Sequence, residues 1–123
     1  MKIAVVIISD PHAGDEALAR LFNAFALAYE ADGAGDEVSI VFIGTGTRWP
    51  DQLAQLNHPA NARYNQLRHL VKGASRSCSV RWGAAEANEK QCVTLLDQNK
   101  IPGTVGGASL RSLLADGWQT LIF

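Results

Sequence analysis

The cysteine at position 78 is the residue of this sequence best suited to covalent chemistry. Arg76 and Arg81 flank it along the chain, at a point where a short strand is predicted to give way to a helix. Unpaired amides at a helix N-terminus and nearby arginines favour the thiolate, which is the nucleophilic form of cysteine. Free cysteines are also often buried and inert. The residues alone therefore leave two interpretations of Cys78 open, a nucleophile and a packing residue.

The other residues that could serve redox or metal chemistry lack the spacing for it. Cys92 forms no Cys-x-x-Cys pair with Cys78, and we expect it to pack in the core. The three histidines are not close enough to each other or to either cysteine to predict a zinc site. We therefore expect no metal and no cofactor. The histidines are His12, His58 and His69.

A glycine-rich turn, Gly44–Thr47, offers a different function. Exposed amides of such turns can cradle phosphate groups, which would make the protein a small-ligand binder. The segment matches neither the P-loop nor the dinucleotide-binding pattern, and no lysine follows in the required place. The favoured interpretation is a tight turn that shapes the rim of a cleft.

The elements that must position these residues indicate an α/β fold. Two continuous apolar runs, Lys2–Ile8 and Val38–Ile43, are typical of strands buried on both faces. A helix predicted over Asp15–Ala31 joins them, so the two strands should be parallel. The apolar stripe predicted for this helix consists of Leu18, Leu21, Phe22, Phe25 and Tyr29.

The second half of the chain is less regular. A helix is predicted over Ala60–Val71, ended by Gly73, followed by a weak strand at Ala74–Ser77. Another helix is predicted over Ser79–Lys90, with Val80, Trp82 and Ala85 facing inward. Ser109 is expected to cap a last helix that runs to about Ala115 and turns Leu110, Leu113 and Leu114 inward. The last predicted strand is Trp118–Phe123, and the apolar Val93–Leu96 run is brief.

Composition limits the class of protein. The chain has 123 residues, of which 47% are hydrophobic and 19% charged, with a net charge of −1. These values are typical of one globular domain and argue against a nonspecific nucleic-acid binder, which needs a basic surface. No apolar run approaches the roughly 20 residues of a membrane helix. We expect a cytoplasmic protein, since free thiols suit a reducing compartment.

Several segments in a fixed order resemble one known family. They are the strand Ile3–Ile8 with its Ser9-Asp10-Pro11 loop, the Val38–Gly46 segment, the stretch from His58 through Leu70-Val71-Lys72-Gly73 to Cys78 and Trp82-Gly83-Ala84, and the ending Asp116–Phe123. Together they resemble the DsrE/DsrF-like family of small sulfur-relay proteins, over nearly the whole chain.

The resemblance implies a three-layer α/β/α fold around a mainly parallel sheet of about five strands. It also implies homotrimers or homohexamers, and protein partners that donate and accept sulfur. Cys78 stands where active members carry the cysteine that accepts sulfane sulfur as a persulfide. Some similar sequences have a second cysteine three residues earlier, where this chain has Ser75. Arg76 and Arg81 would support the sulfur anions, and no cofactor is implied.

The sequence therefore predicts a sulfur carrier or sulfurtransferase acting through Cys78, as a single domain over residues 1–123. Two alternatives remain open, a noncatalytic oligomeric assembly subunit and a small-ligand binder of the same fold.

Overall fold

A computed structural model describes residues 1–123. It contains five strands: β1 (Lys2–Ile7), β2 (Glu37–Phe42), β3 (Val71–Ser75), β4 (Leu95–Leu96) and β5 (Gln119–Ile122). The six α-helices are α1 (Asp15–Gly33), α2 (Trp49–Leu53), α3 (Asn61–Leu67), α4 (Arg76–Arg81), α5 (Ala85–Lys90) and α6 (Leu110–Ala115). Short 3-10 turns cover Gly44–Arg48 and Arg68–Leu70. None of the helices is both long and apolar enough to cross a membrane.

The strands form one sheet in the order β4-β3-β2-β1-β5, and every strand pair is parallel. The sequence prediction of parallel pairing between the first two strands is confirmed, with Lys2 opposite Glu37 and Ile7 opposite Phe42. Their unbroken β-branched and aromatic runs suit strands buried on both faces. The carboxyl ends of all five strands meet at one edge of the sheet, which we call the carboxyl edge.

Helices cover both faces of the sheet, which confirms the three-layer α/β/α fold. On one face α1 and α3 pack over the alternate β1 and β2 residues Ile3, Val5, Ile7, Ile40 and Phe42. On the other face α6 contributes Leu113 to a smaller cluster with Ala4, Val41 and Leu96. The second face has the smaller core because only α6 crosses it.

The apolar face of α1 differs from the predicted stripe. Leu21 and Phe25 are buried as expected, but Phe22 and Tyr29 are exposed. Four alanines face the sheet instead, since small side chains let the helix lie close to it. Tyr29 lies under the guanidinium of Arg63 from α3, whose Cζ is 4.4 Å from the ring centroid. The buried alanines are Ala17, Ala24, Ala28 and Ala31.

The helix predicted over Ala60–Val71 is shorter than expected. α3 ends at Leu67, and Val71 already belongs to β3. Gly73 therefore lies inside a strand and does not end a helix. A Cβ atom at Gly73 would overlap the Thr94 carbonyl oxygen of the neighbouring segment, so glycine is required here by close strand packing.

The predicted Ser79–Lys90 helix is two helices. Gly83 has a φ of 72° between α4 and α5, a left-handed conformation that glycine adopts without strain and that ends a helix. The predicted inward residues Val80 and Trp82 are exposed as a result. In α6 Leu113 is buried as predicted, whereas Leu114 is 62% exposed.

Candidate functional site

Cys78 is the third residue of α4, which begins directly after β3 ends at Ser75. Its side chain is partly exposed. The predicted strand-to-helix junction is confirmed, but α4 begins earlier than predicted, so that Cys78 lies in its first turn and not before it. The junction lies at the carboxyl edge, where open parallel sheets usually bind ligands. The order of strands reverses between β1 and β5. Cys78 follows β3, which is separated from that reversal by β2, so the thiol is not at the point where the strand order changes.

The loop before α6 fixes the conformation of this junction. The Ser77 amide donates a 2.8 Å hydrogen bond to the Gly106 carbonyl, and the Ala108 amide donates a 3.0 Å bond to Ser75 Oγ. A Cβ atom at Gly107 would lie 2.7 Å from Ser77 Oγ and 2.9 Å from Ser75 Oγ. Ser75 is buried, so its hydroxyl holds the loop and does not face a substrate.

A network of buried hydrogen bonds holds the inner side of α4. Ser79 Oγ donates to the Ser75 carbonyl at 2.8 Å. The Asn88 amide of α5 donates to the Thr47 carbonyl at 3.0 Å and to Ser79 Oγ at 3.2 Å. Ser79, Thr47 and Asn88 have no exposed surface. Cys78 is therefore carried by a helix whose buried side is hydrogen-bonded to β3 and α5, and through Asn88 to the Gly44–Arg48 turn.

Sequence reasoning missed Asn88 and the network around it. The residue lies in the Ala-Glu-Ala-Asn-Glu-Lys segment of α5, where its polar neighbours are typical of a solvated helix. Nothing in that local pattern distinguishes a buried asparagine from an exposed one.

The two arginines beside Cys78 have different surroundings. Arg76 Nε lies 3.6 Å from Asp97 Oδ2, and the same carboxylate oxygen lies 3.4 Å from Lys100 Nζ. No carboxylate lies within 4 Å of Arg81. The Arg81 guanidinium instead lies over the Trp82 ring, at 4.5 Å from its centroid. The charge of Arg81 is thus free to meet an incoming anion, whereas that of Arg76 is shared with Asp97.

The structure brings the glycine-rich turn against the helix of Cys78. α4 packs on the Gly44–Arg48 turn. Within that turn Gly46 and Thr47 are buried, and the Gly46 amide already donates to the Ile43 carbonyl at 2.9 Å. A Cβ atom at Gly46 would overlap the Ile7 carbonyl oxygen. Close packing on β1 therefore explains Gly46 without a bound phosphate.

Cys92 is exposed, so the expectation that it packs in the core is wrong. It follows α5 with a φ of 58°. Its amide donates to the Glu89 carbonyl at 3.0 Å, and the Val93 amide donates to the Asn88 carbonyl at 2.9 Å. This is the Schellman motif that commonly ends helices, with cysteine in the position where glycine is usual.

The two cysteines lie near opposite ends of β3. Cys92 lines a small cleft together with Val71, the first residue of that strand. Cys78 lies three residues after Ser75, the last residue of the strand. Five residues of strand span about 16 Å, well beyond the reach of a disulfide, whose Cα atoms are at most about 7 Å apart. Cys92 therefore cannot resolve a sulfur intermediate on Cys78 within one chain.

A cleft on the α6 side of the sheet lies away from Cys78. It occupies about 240 Å³ between α6 and the sheet, with an apolar floor that includes Val41 and Leu96. Lys72 and Asp116 are among the polar residues at its rim. This volume is below the roughly 300–1,000 Å³ of most small-molecule sites, so the cleft does not favour the small-ligand alternative.

Comparison with known proteins gives one match. The family model of the DsrE/DsrF-like family matches residues 1–123, the whole chain. Comparisons with curated proteins and with solved structures give no significant match. The family is associated with sulfur relay. With its five-stranded parallel sheet, its two helical layers and a match over its entire length, the chain belongs to the DsrE/DsrF-like family.

Proposed function

We propose that this protein is a sulfur carrier or sulfurtransferase that passes sulfane sulfur through a persulfide on Cys78. The observation that carries the proposal is the partly exposed thiol on a helix fixed at the carboxyl edge of the sheet, in a chain whose family is associated with sulfur relay.

The chemistry needs one thiolate and no cofactor. The Cys78 thiolate attacks the outer sulfur of a donor persulfide, R–S–SH, and forms Cys78–S–SH while the donor leaves as the thiolate R–S⁻. An acceptor thiolate then attacks the outer sulfur of Cys78–S–SH. The bond between the two sulfurs breaks, and Cys78 keeps the bonding electrons as a thiolate.

The surrounding residues have supporting roles in this proposal. Arg81, which has no carboxylate partner, stabilises the sulfur anions, and Arg76 contributes more weakly because Asp97 shares its charge. Ser75 holds the loop that shapes the junction. Since position 75 carries no thiol, a persulfide on Cys78 persists until an external acceptor thiol attacks it.

The proposal extends to partners and context. Sulfur donor and acceptor proteins are the expected partners, and direct nucleic-acid binding is not expected for a chain with a net charge of −1. We also propose one domain over residues 1–123, assembly into a homotrimer or homohexamer, and a cytoplasmic location, where free thiols stay reduced.

A noncatalytic assembly subunit is the second candidate. It is favoured by exposed apolar residues on β5, an edge strand whose Leu121 and Ile122 are 42% and 56% exposed. Such a subunit would act through the surface that contacts other subunits, and its function would not depend on the Cys78 thiol.

A sulfur-transfer assay tests the proposal. The purified protein is loaded with an equimolar low-molecular-weight persulfide, desalted, and mixed with an excess of an acceptor thiol. We expect one sulfur per chain to pass to the acceptor from the wild type, and almost none from Cys78→Ser. Equal transfer from both proteins would contradict the proposal.

A further inference from the structure

Two arginines and a tryptophan form an exposed cluster at the end of α4. Trp82 is 37% exposed. The Arg81 guanidinium carbon lies 4.5 Å from its ring centroid, and that of Arg48 lies 5.9 Å away. Arg48 Nε also donates a 3.1 Å hydrogen bond to the Trp82 carbonyl oxygen. We call Arg48, Arg81 and Trp82 the arginine–tryptophan cluster.

The arginine–tryptophan cluster is next to Cys78 on the helix surface. Arg81 and Trp82 follow Cys78 by three and four positions, and the Trp82 amide donates to the Cys78 carbonyl at 2.9 Å. Residues at these spacings share one face of a helix, and their side chains lean toward the helix N-terminus. A molecule that contacts Arg81 and Trp82 is therefore within one helical turn of the thiol.

The charges of the cluster favour an anionic partner. Arg48 Nη1 is held by Asp10 Oδ2 at 2.9 Å, so its charge is already compensated. Arg81 has no carboxylate within 4 Å. Tryptophan and arginine are also among the residues that are enriched in the energetic centres of protein interfaces. A carboxylate on a partner would complete the pairing of Arg81.

The size of the adjoining cleft favours a protein over a small molecule. A cleft of about 170 Å³ is lined by His12, Arg48 and Trp82 and bounded by residues of α2 and α5. Asp51 is the one carboxylate among its lining residues. Small-molecule sites usually occupy about 300–1,000 Å³. This cleft has room for a single side chain of a docked protein segment, but not for a molecule of coenzyme size.

We propose that the arginine–tryptophan cluster and its cleft are the docking site for an acidic protein segment that carries the thiol reacting with Cys78. Arg81 pairs with a carboxylate of that segment, and Trp82 packs against it. The cluster then selects partners whose reactive cysteine has acidic neighbours. This inference rests on the proposed function, because it specifies the partner of the same site.

Two synthetic peptides test the inference. Both carry one cysteine, with two glutamates beside it in the first peptide and two lysines in the same positions in the second. The Cys92→Gly variant is loaded with sulfur from a low-molecular-weight persulfide, so that only Cys78 carries it. We then measure the second-order rate constant of sulfur transfer to each peptide at equal thiolate concentration.

We expect transfer to the glutamate peptide to be faster by about tenfold, the lower end of the usual effect of electrostatic steering. This preference should fall as salt screens the charges. Arg81→Glu should reverse the preference, and Trp82→Ala should reduce it. Arg111→Glu makes the same charge change at an exposed position of α6 and should leave the preference unchanged. The ratio between peptides cancels any general effect of Arg81 on the reactivity of Cys78.

Different failures of this experiment have different meanings. If Cys78 takes up no sulfur, the proposed function itself is wrong. If Cys78 is loaded but both peptides react equally, or if Arg81→Glu leaves the ratio unchanged, the docking site is wrong and the sulfur-carrier function stands. If glutathione reacts as fast as the glutamate peptide and depends equally on Arg81, the occupant is a small anionic thiol and the proposal of a protein partner is overturned.

Discussion

The two cysteines of the chain occupy backbone positions of different kinds. Cys78 has ordinary helical neighbours in α4, whereas Cys92 ends α5 in a left-handed conformation with a φ of 58°. This conformation brings Cβ close to the backbone carbonyl in any residue except glycine. Cys92 is thus in a position for which glycine is better suited.

Replacing Cys92 by glycine should stabilise the protein. The variant relieves the strain of the left-handed conformation and keeps both hydrogen bonds of the Schellman motif, so we expect a gain of about 1 kcal/mol in the free energy of unfolding. Denaturant titration measures it, with Cys92→Ala as the control that removes the thiol but keeps the strain. A glycine variant less stable than the alanine variant would contradict this account.

His58 should make stability depend on pH. Its Nδ1 accepts a 3.0 Å hydrogen bond from the Ala60 amide, and burial lowers the pKa of His58 below its usual value. Because the folded pKa lies below the unfolded value of about 6.5, unfolding takes up a proton in acid. This contribution to stability is complete above about pH 6.5 and is lost as the pH falls through the folded pKa.

Unfolding titrations between pH 7.5 and pH 5 measure this effect. The free energy of unfolding of the wild type should fall with acid more steeply than that of His58→Gln, whose side chain does not titrate. Parallel curves for the two proteins would rule out His58 as the source.

At the scale of elements, the sequence predicts the parts of the fold whose pattern is continuous. β1 and β2 could be predicted because their apolar residues form uninterrupted runs, and α1 could be predicted because its apolar residues recur at helical spacing. Cys78 was found because its residue type and its flanking arginines are visible in the sequence. The same reasoning placed it close to the junction of a strand and a helix, where the structure has it in the first turn of α4.

Other elements depend on contacts between distant segments, which local patterns do not show. The burial of Asn88 depends on Thr47 and Ser79, which belong to other elements. The arginine–tryptophan cluster depends on Arg48, which reaches Trp82 from the distant Gly44–Arg48 turn. The division between α4 and α5 is different, because Gly83 is a local signal that the prediction of one helix over Ser79–Lys90 did not use.

The loop that holds the Cys78 junction should be sensitive to one added methyl group. A Cβ at Gly107 would lie 2.7 Å from Ser77 Oγ and 2.9 Å from Ser75 Oγ. In Gly107→Ala, either these hydroxyls turn away, with loss of the Ala108–Ser75 hydrogen bond, or the loop moves. We expect a destabilisation of about 1–3 kcal/mol, as for other overpacked sites, and slower sulfur loading of Cys78.

Gly33→Ala is the matched control for this variant. Gly33 lies at the end of α1, with nothing within 4 Å of an added Cβ, so alanine there should be neutral or stabilising. Equal stability of the two alanine variants would show that the loop does not hold the junction tightly.

At the scale of the whole molecule, its two faces are unequally covered. α1 and α3 bury one face of the sheet, whereas α6 alone crosses the other. β5 leaves one edge of the sheet unpaired, with Leu121 and Ile122 exposed. Proteins usually protect such edges, and association between copies would do so here.

The exposed residues of β5 favour association without setting the number of copies. We expect a homotrimer or homohexamer in solution because the family resemblance implies it. Multi-angle light scattering at micromolar concentration should give three or six times the mass of one chain. A monomer under these conditions would contradict the assembly prediction and also remove the main support for a noncatalytic assembly subunit.

The central claim is that Cys78 carries sulfur, and peptide mapping of the persulfide tests it most directly. The native protein is mixed with one equivalent of a low-molecular-weight persulfide, alkylated, digested and analysed by mass spectrometry. We predict one additional sulfur atom on the Cys78 peptide in the wild type and in Cys92→Gly, and none on the Cys92 peptide in the wild type or in Cys78→Ser. The sulfur should persist until an external thiol is added, since Ser75 cannot resolve it. A Cys78 that takes up no sulfur, or that resists alkylation until the protein is unfolded, would contradict the claim.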